Sequence, residues 1–129
     1  PRKGLVQVAA AGPLSNLLLC VAAAVLLRLT LALPGDLQFS MRTLRGVLWY
    51  AMNINLALAF FNLIPIHPLD GSKILSGLLP LRWSMSYESH APYGTGIILA
   101  LIFLRVLGPL VSVPAGLFLL LLTKVLGMA

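Results

Sequence analysis

Residues 12–33, 44–63 and 94–126 are long apolar runs of Leu, Ala, Val, Ile and Phe, interrupted mainly by proline and glycine. One crossing of a bilayer needs roughly 20 such residues. Lipid offers no partner to a backbone amide, so a segment that spans it must be a helix or part of a closed barrel. Period-two alternation is absent, and this excludes the barrel. The sequence therefore predicts an all-α fold, a polytopic transmembrane helical bundle of three to five membrane segments, and membrane lipid as its first partner. Composition agrees: 60% of the residues are hydrophobic, 9% are charged and the mean hydropathy is +1.01, outside the range of a soluble domain of this length.

The punctuation divides the chain. A first span covers Gly12 to Leu33 with one charge, Arg28, placed to snorkel or to find an interhelical partner, and Pro34-Gly35-Asp36 stops it. A second covers Leu44 to Leu63, with Trp49 and Tyr50 as interfacial anchors, and Pro65 and Pro68 end it. Ser72 to Leu79 reads as a short helix closed by Pro80, and the polar stretch Leu81 to Tyr93, with Arg82, Glu88 and His90, reads as an extramembrane loop. Gly94 to Leu126 is too long for one upright span and too short for two, so it is either a kinked helix or a hairpin of two short ones, broken at Gly108-Pro109 and Pro114. Residues 1–129 form a single membrane-embedded domain without internal repeats. Pro1-Arg2-Lys3-Gly4 has neither an initiator Met nor a signal-peptide layout, so the chain reads as a fragment or a processed segment.

The net charge of +6 raises the question of nucleic acid. Its nine Lys and Arg are scattered without aromatic interleaving, which excludes a nucleic-acid surface and points to topology. Arg2, Lys3, Lys73, Arg82 and Lys124 are assigned to one face and Arg42 and Arg45 to the other, which makes the first face, with Asp70, the cytoplasmic one. The single cysteine, Cys20, reads as a small packing residue.

Chemistry concentrates in Asn62-Leu63-Ile64-Pro65-Ile66-His67-Pro68-Leu69-Asp70-Gly71. Two prolines three apart remove two backbone donors and force residues 64–69 out of helical geometry. Unwound backbone at membrane depth is tolerated only where it is buried in protein or lines a wet cavity. An ionisable Asp70 at the end of such a stretch, with the amide of Asn62 at its start, is a candidate site. The competing reading is architectural, with Asp70 the N-cap of the following helix and Asn62 the C-cap of the preceding one.

The segment resembles the Asn-x-x-Pro-x-x-x-x-Asp-Gly motif of the site-2 protease family of intramembrane zinc metalloproteases, with Asn55-Leu56 and Phe60-Phe61 ahead of it. Gly12-Pro13-Leu14-Ser15-Asn16 is similar to the family's Gly-Pro-x-x-Asn element, and Pro92-Tyr93-Gly94 resembles its compact bacterial branch. The resemblance implies Zn2+ as cofactor, Asp70 as a metal ligand and Asn62 as the group that positions the scissile carbonyl or stabilises its oxyanion. Gly12, Pro13, Asn16, Pro65, Pro68 and Gly71 are the supporting motif residues. It further implies a transmembrane protein or peptide as substrate, and the bacterial inner membrane as location. His67, three residues before Asp70, is read as cavity lining or as a hydrogen-bonding support of the site. The family's His-Glu-x-x-His helix has no counterpart: the only histidines are His67 and His90, and the only Glu is Glu88. Truncation upstream, or a naturally inactive relative, would account for that.

Other chemistries fit less well. Ser76-Gly77 lacks the Gly-x-Ser-Gly setting of a serine nucleophile, and Asp36 falls at the opposite end from Asp70, which excludes an aspartyl dyad. A non-catalytic scaffold or transporter-like module built around a broken helix is the rival from another class. No sequence signal sets an oligomeric state.

Overall fold

The computed structural model describes residues 2–128, and among these every regular element is helical. In chain order the α-helices are α1 (Arg2–Leu31), α2 (Gly35–Ser40), α3 (Arg42–Asn62), α4 (Asp70–Leu78), α5 (Leu81–Glu88), α6 (Gly94–Phe103) and α7 (Leu107–Val125), with a 3₁₀ turn at Ala91–Tyr93. Three of them, α1, α3 and α7, are long and apolar enough to cross a membrane.

The first span begins ten residues before its predicted start and runs through Pro13. A proline inside a membrane helix removes one backbone bond, here the one to the Ala9 carbonyl four residues back. Ser15 Oγ donates to the Ala11 carbonyl at 2.6 Å. The stretch predicted as a polar loop is instead largely helix α5, its N-terminus set by Pro80 just before the first turn. The third apolar run resolves into two helices, but its break lies at Leu104–Val106, where Arg105 takes a positive φ of 59°. Gly108 and Pro109 lie in the first turn of α7, where the missing proline N–H has no intrahelical acceptor to lose, and Pro114 is accommodated inside the helix.

α1 and α3 pack along their lengths, α7 covers α3, and α4 crosses back onto α1. Cys20, Ala24 and Leu27 of α1 interlock with Leu48, Met52 and Leu56 of α3, while Phe118, Leu119 and Leu122 of α7 close the cluster. Small side chains on α1 let the two helices approach closely, the usual basis of association where lipid removes the hydrophobic driving force. Cys20 is fully buried, as its packing role requires. A second cluster joins Ile64 and Leu69 to Ile98 of α6 and Leu107 of α7.

Three arginines tie helix ends. Arg45 donates to the Thr30 carbonyl at 2.8 Å at the end of α1, and Arg28 donates to the Leu126 carbonyl at 3.0 Å at the end of α7. Arg2 donates to the carbonyls of Ser76, at 2.7 Å, and Leu79 at the end of α4. Cations at these ends satisfy orphan carbonyls and oppose the negative end of the helix dipole. The Arg28 contact also corrects the topology: it places the end of α7, and with it Lys124, beside Arg28, Arg42 and Arg45. Leu107 packs on Ile64 and Leu69, so Arg105 lies at the Asp70 end. The nine cations therefore divide nearly evenly between the two ends, and the charge asymmetry predicted from sequence shrinks to almost nothing.

Candidate functional site

α3 ends at Asn62, and residues 63–69 are non-helical up to Asp70, the first residue of α4. The segment satisfies much of its backbone internally. Ile64 N–H donates to the Phe61 carbonyl at 3.2 Å, Ile66 N–H to Ile64 at 2.8 Å, and Leu69 N–H to Ile66 at 2.9 Å. Pro65 and Pro68 have no donor to satisfy. Ile64 and Leu69 are buried pegs, while Pro65 and Pro68 between them are exposed.

Neither predicted cap is used as one. Leu69, in extended conformation, occupies the N-cap position of α4 without a side-chain cap bond, and Asp70 follows it inside the helix. At the other end Leu63 is the C-cap residue, while Asn62 turns its side chain back along α3 and donates from Nδ2 to the Leu58 carbonyl at 2.9 Å. That bond uses one of the two amide hydrogens and leaves the other available.

Asp70 is half-buried, and its carboxylate has no hydrogen-bond or ion-pair partner among the described residues. It faces α1: a Cβ placed on Gly12 would stand 3.1 Å from Asp70 Oδ2. The two motifs, far apart in sequence, are thus in direct contact. Pro13 beside Gly12 is fully buried, and Asn16 lies one turn on, on the same side of α1 by its four-residue spacing. Gly12 itself stays exposed, so the carboxylate sits at an open edge of the bundle. Gly71 is required by closeness: a Cβ there would meet the Leu63 carbonyl oxygen at 2.2 Å and the Ile64 carbonyl oxygen at 2.5 Å.

The His67 side chain, 16% exposed, is engaged with α5 and makes no hydrogen bond to Asp70 among the described residues. Its Nε2 donates to Glu88 Oε2 at 3.1 Å, and its ring rests on Tyr87 with centroids 5.0 Å apart. The Tyr87 hydroxyl donates to the Pro65 carbonyl. Burial and the neighbouring Glu88 push the Tyr87 phenol above its ordinary pKa. Gly94 supports the other side, where a Cβ would stand 2.0 Å from the His67 carbonyl oxygen. Sequence reasoning missed Tyr87 and Glu88, because contacts over 21 and 22 residues leave no local pattern. An aromatic and an acid side by side after Pro80, facing a lone histidine, were the available signal. His90 is exposed, with Nδ1 donating to the Ser86 carbonyl at 2.9 Å.

Among the described residues no three His, Cys, Asp or Glu side chains converge as a metal set. The donor chemistry of Asp70 nevertheless fits one position of such a set, since it is an unpaired hard oxygen held at a helix start. Between α3 and α7 runs an apolar groove of about 760 Å³ that passes Asn53, Ala57, Gly108 and Ser112 and reaches Phe61, the neighbour of Asn62.

The fold and site define an integral membrane protein with a carboxylate presented by a broken helix. The sequence matches Peptidase family M50 over residues 35–105, more than half of the chain, and the chain belongs to that family, the site-2 proteases. It is 34% identical over 115 residues to YwhC of Bacillus subtilis (strain 168), a protein provisionally named a zinc metalloprotease. That alignment covers 88% of this chain and 52% of the relative, so the chain spans about half the relative's length. No solved structure matches the chain.

Proposed function

We propose that these residues supply the Asp-Gly part of a site-2-type, zinc-dependent endopeptidase that hydrolyses peptide bonds in or near membrane helices, the reaction of regulated intramembrane proteolysis. The observation that carries this reading is the half-buried, unpartnered Asp70 carboxylate lying on Gly12, where two family motifs meet. Asp70 serves as one metal ligand, and the free amide hydrogen of Asn62 orients the scissile carbonyl or stabilises its oxyanion. Bound zinc supplies Lewis-acid activation of water at neutral pH. Its remaining protein ligands lie outside these residues. The groove that reaches Phe61 fits a transmembrane protein or peptide as substrate.

The proposed location is the bacterial plasma membrane with the Asp70 end toward the cytoplasm. With the cations divided nearly evenly between the two ends, the orientation rests on experiment. Single cysteines at Ser40 and Ser89, with Cys20 buried and silent, would report it: only Ser89→Cys should label from the cytoplasmic side. Labelling of Ser40→Cys from that side instead would reverse the orientation.

The absence of a His-Glu-x-x-His from these residues favours a second reading, an inactive relative or a membrane scaffold. Metal content and cleavage of a membrane-helix substrate by the full-length protein separate the two. Asp70→Asn should lose zinc and cleavage together. Asn62→Ala should keep zinc and slow turnover by about 10²-fold, the usual size for one oxyanion donor. Full zinc and full activity in Asp70→Asn would refute the ligand assignment and move the scaffold reading ahead.

A further inference from the structure

The outer arc of the unwound segment, residues 65–68, lies between the buried pegs Ile64 and Leu69, and two of its four residues have no N–H to donate. Ile66 packs on the cluster of Ile98 and Leu107, and the polar contacts that hold the arc come from one neighbouring stretch, residues 87–94. Tyr87 bonds the Pro65 carbonyl, Glu88 accepts from His67 Nε2 at 3.1 Å, the Tyr87 ring lies against the His67 imidazole, and the Gly94 backbone presses on the His67 carbonyl. The same helix α5 is fixed to α4 by the Ser76–Ser84 hydroxyl pair at 2.7 Å, and the end of α4 is held by Arg2. Arc, α4 and α5 therefore form a closed ring of contacts, and Asp70 sits where the arc joins α4.

We propose that α5 is the positioning element of the Asp70 site, with Tyr87 and Glu88 as positioning residues that fix the arc and so the placement of the Asp70 carboxylate. The proposal rests on the reading of Asp70 as a metal ligand. The physical reason is tolerance. A metal ligand must be held within a few tenths of an ångström, and groups that orient a ligand commonly change metal affinity by 10- to 100-fold without touching the ion. The Glu88 side chain is 48% exposed and that of His67 16%, so water screens the pair from the Glu88 side and its contribution to global stability is small. Its effect should appear in local order and metal affinity rather than in melting.

The test uses the full-length protein in detergent with Tyr87→Phe, Glu88→Ala, the double variant and Glu88→Gln. Hydrogen exchange of the amides in residues 63–69 should rise about tenfold in the double variant while α1 and α3 stay protected. Zinc affinity, measured by chelator competition, should fall about tenfold. Turnover should fall with KM unchanged, and Glu88→Gln, which still accepts from His67, should keep exchange, zinc affinity and turnover close to wild type. Unchanged exchange in the double variant would overturn the proposal. So would faster exchange with wild-type zinc affinity, since α5 would then brace the loop without positioning Asp70. If the wild-type protein binds no zinc, the proposed function falls, and with it the positioning of a ligand, while the exchange data still establish whether α5 holds the arc.

Discussion

Replacing Gly71 with alanine tests the junction on which the site depends. The added Cβ would lie 2.2 Å from the Leu63 carbonyl oxygen, 2.4 Å from its carbon and 2.5 Å from the Ile64 carbonyl oxygen. Comfortable contact begins near 3.5 Å, so the first turn of α4 and the 63–64 turn must separate by about 1 Å. All three atoms are backbone, and no rotamer change relieves them. Overpacking a core with side chains costs about 1–3 kcal/mol, and a backbone collision belongs at the upper end. Alanine returns about 1 kcal/mol over glycine within a helix, leaving a net loss of about 2 kcal/mol. Gly46 in α3 is the control, because a Cβ there meets nothing within 4 Å and only the helix gain remains. The assay is the thermal unfolding midpoint in detergent with zinc content measured beside it. Gly71→Ala should lower both, and Gly46→Ala should lower neither. If Gly71→Ala instead melted like Gly46→Ala and kept its zinc, α4 would not rest on the unwound turn as described.

Gly12→Ala should leave the midpoint within about 0.5 kcal/mol of wild type yet weaken zinc binding, because the Asp70 carboxylate, 3.1 Å from the new methyl, must withdraw by a few tenths of an ångström. Arg28→Met should lower the midpoint by the equivalent of about 1–2 kcal/mol by freeing the Leu126 carbonyl, with no change in zinc content. Tyr87 should ionise above the ordinary tyrosine range in an alkaline titration followed by ultraviolet difference absorbance, and Tyr87→Phe should remove that late component. The sign follows from the raised value: the contribution of the neutral phenol is complete below the ordinary tyrosine pKa and is lost as pH rises through the native one. Faster exchange in residues 63–69 should accompany that loss.

Apolar run length and the two prolines made the helical bundle, its spans and the unwinding at 64–69 legible, because both act locally on the backbone. Helix ends were less so. Gly12-Pro13 reads as the opening of a span and Gly108-Pro109 as a break, yet Pro13 lies inside a longer membrane helix and Pro109 in a first turn, where a missing N–H costs little. The assignment of Lys124 failed for a related reason: one unrecognised turn, at Leu104–Val106, changes the end of the membrane at which all later residues emerge. Of the site, Asp70 and Gly12 were identified by their motifs, but their contact depends on how α4 crosses α1. The arginine caps and the Tyr87–Glu88 hold on the arc are long-range and left no pattern to read.

Two carboxylates, Asp70 and Glu88, lie at the same end of the bundle, and their surroundings separate their roles. Glu88 is accessible and already paired with His67, so both of those side chains are engaged in holding the arc. Asp70 is half-buried against Gly12 with no such partner among the described residues. The His67–Glu88 pair is accounted for by its hold on the arc, whereas the lone carboxylate at the start of α4 has its oxygens available for a ligand role. One oxygen donor does not complete a tetrahedral set, which takes three protein ligands in a catalytic zinc site. The exposed backbone of Gly12 leaves an open edge beside Asp70 through which the other donors can approach, so metal affinity depends on both sides of that edge. Substitutions at Gly12, Asp70 and Gly71 should accordingly change zinc binding together, while substitutions at Arg28, remote at the far end of α1, should change stability alone.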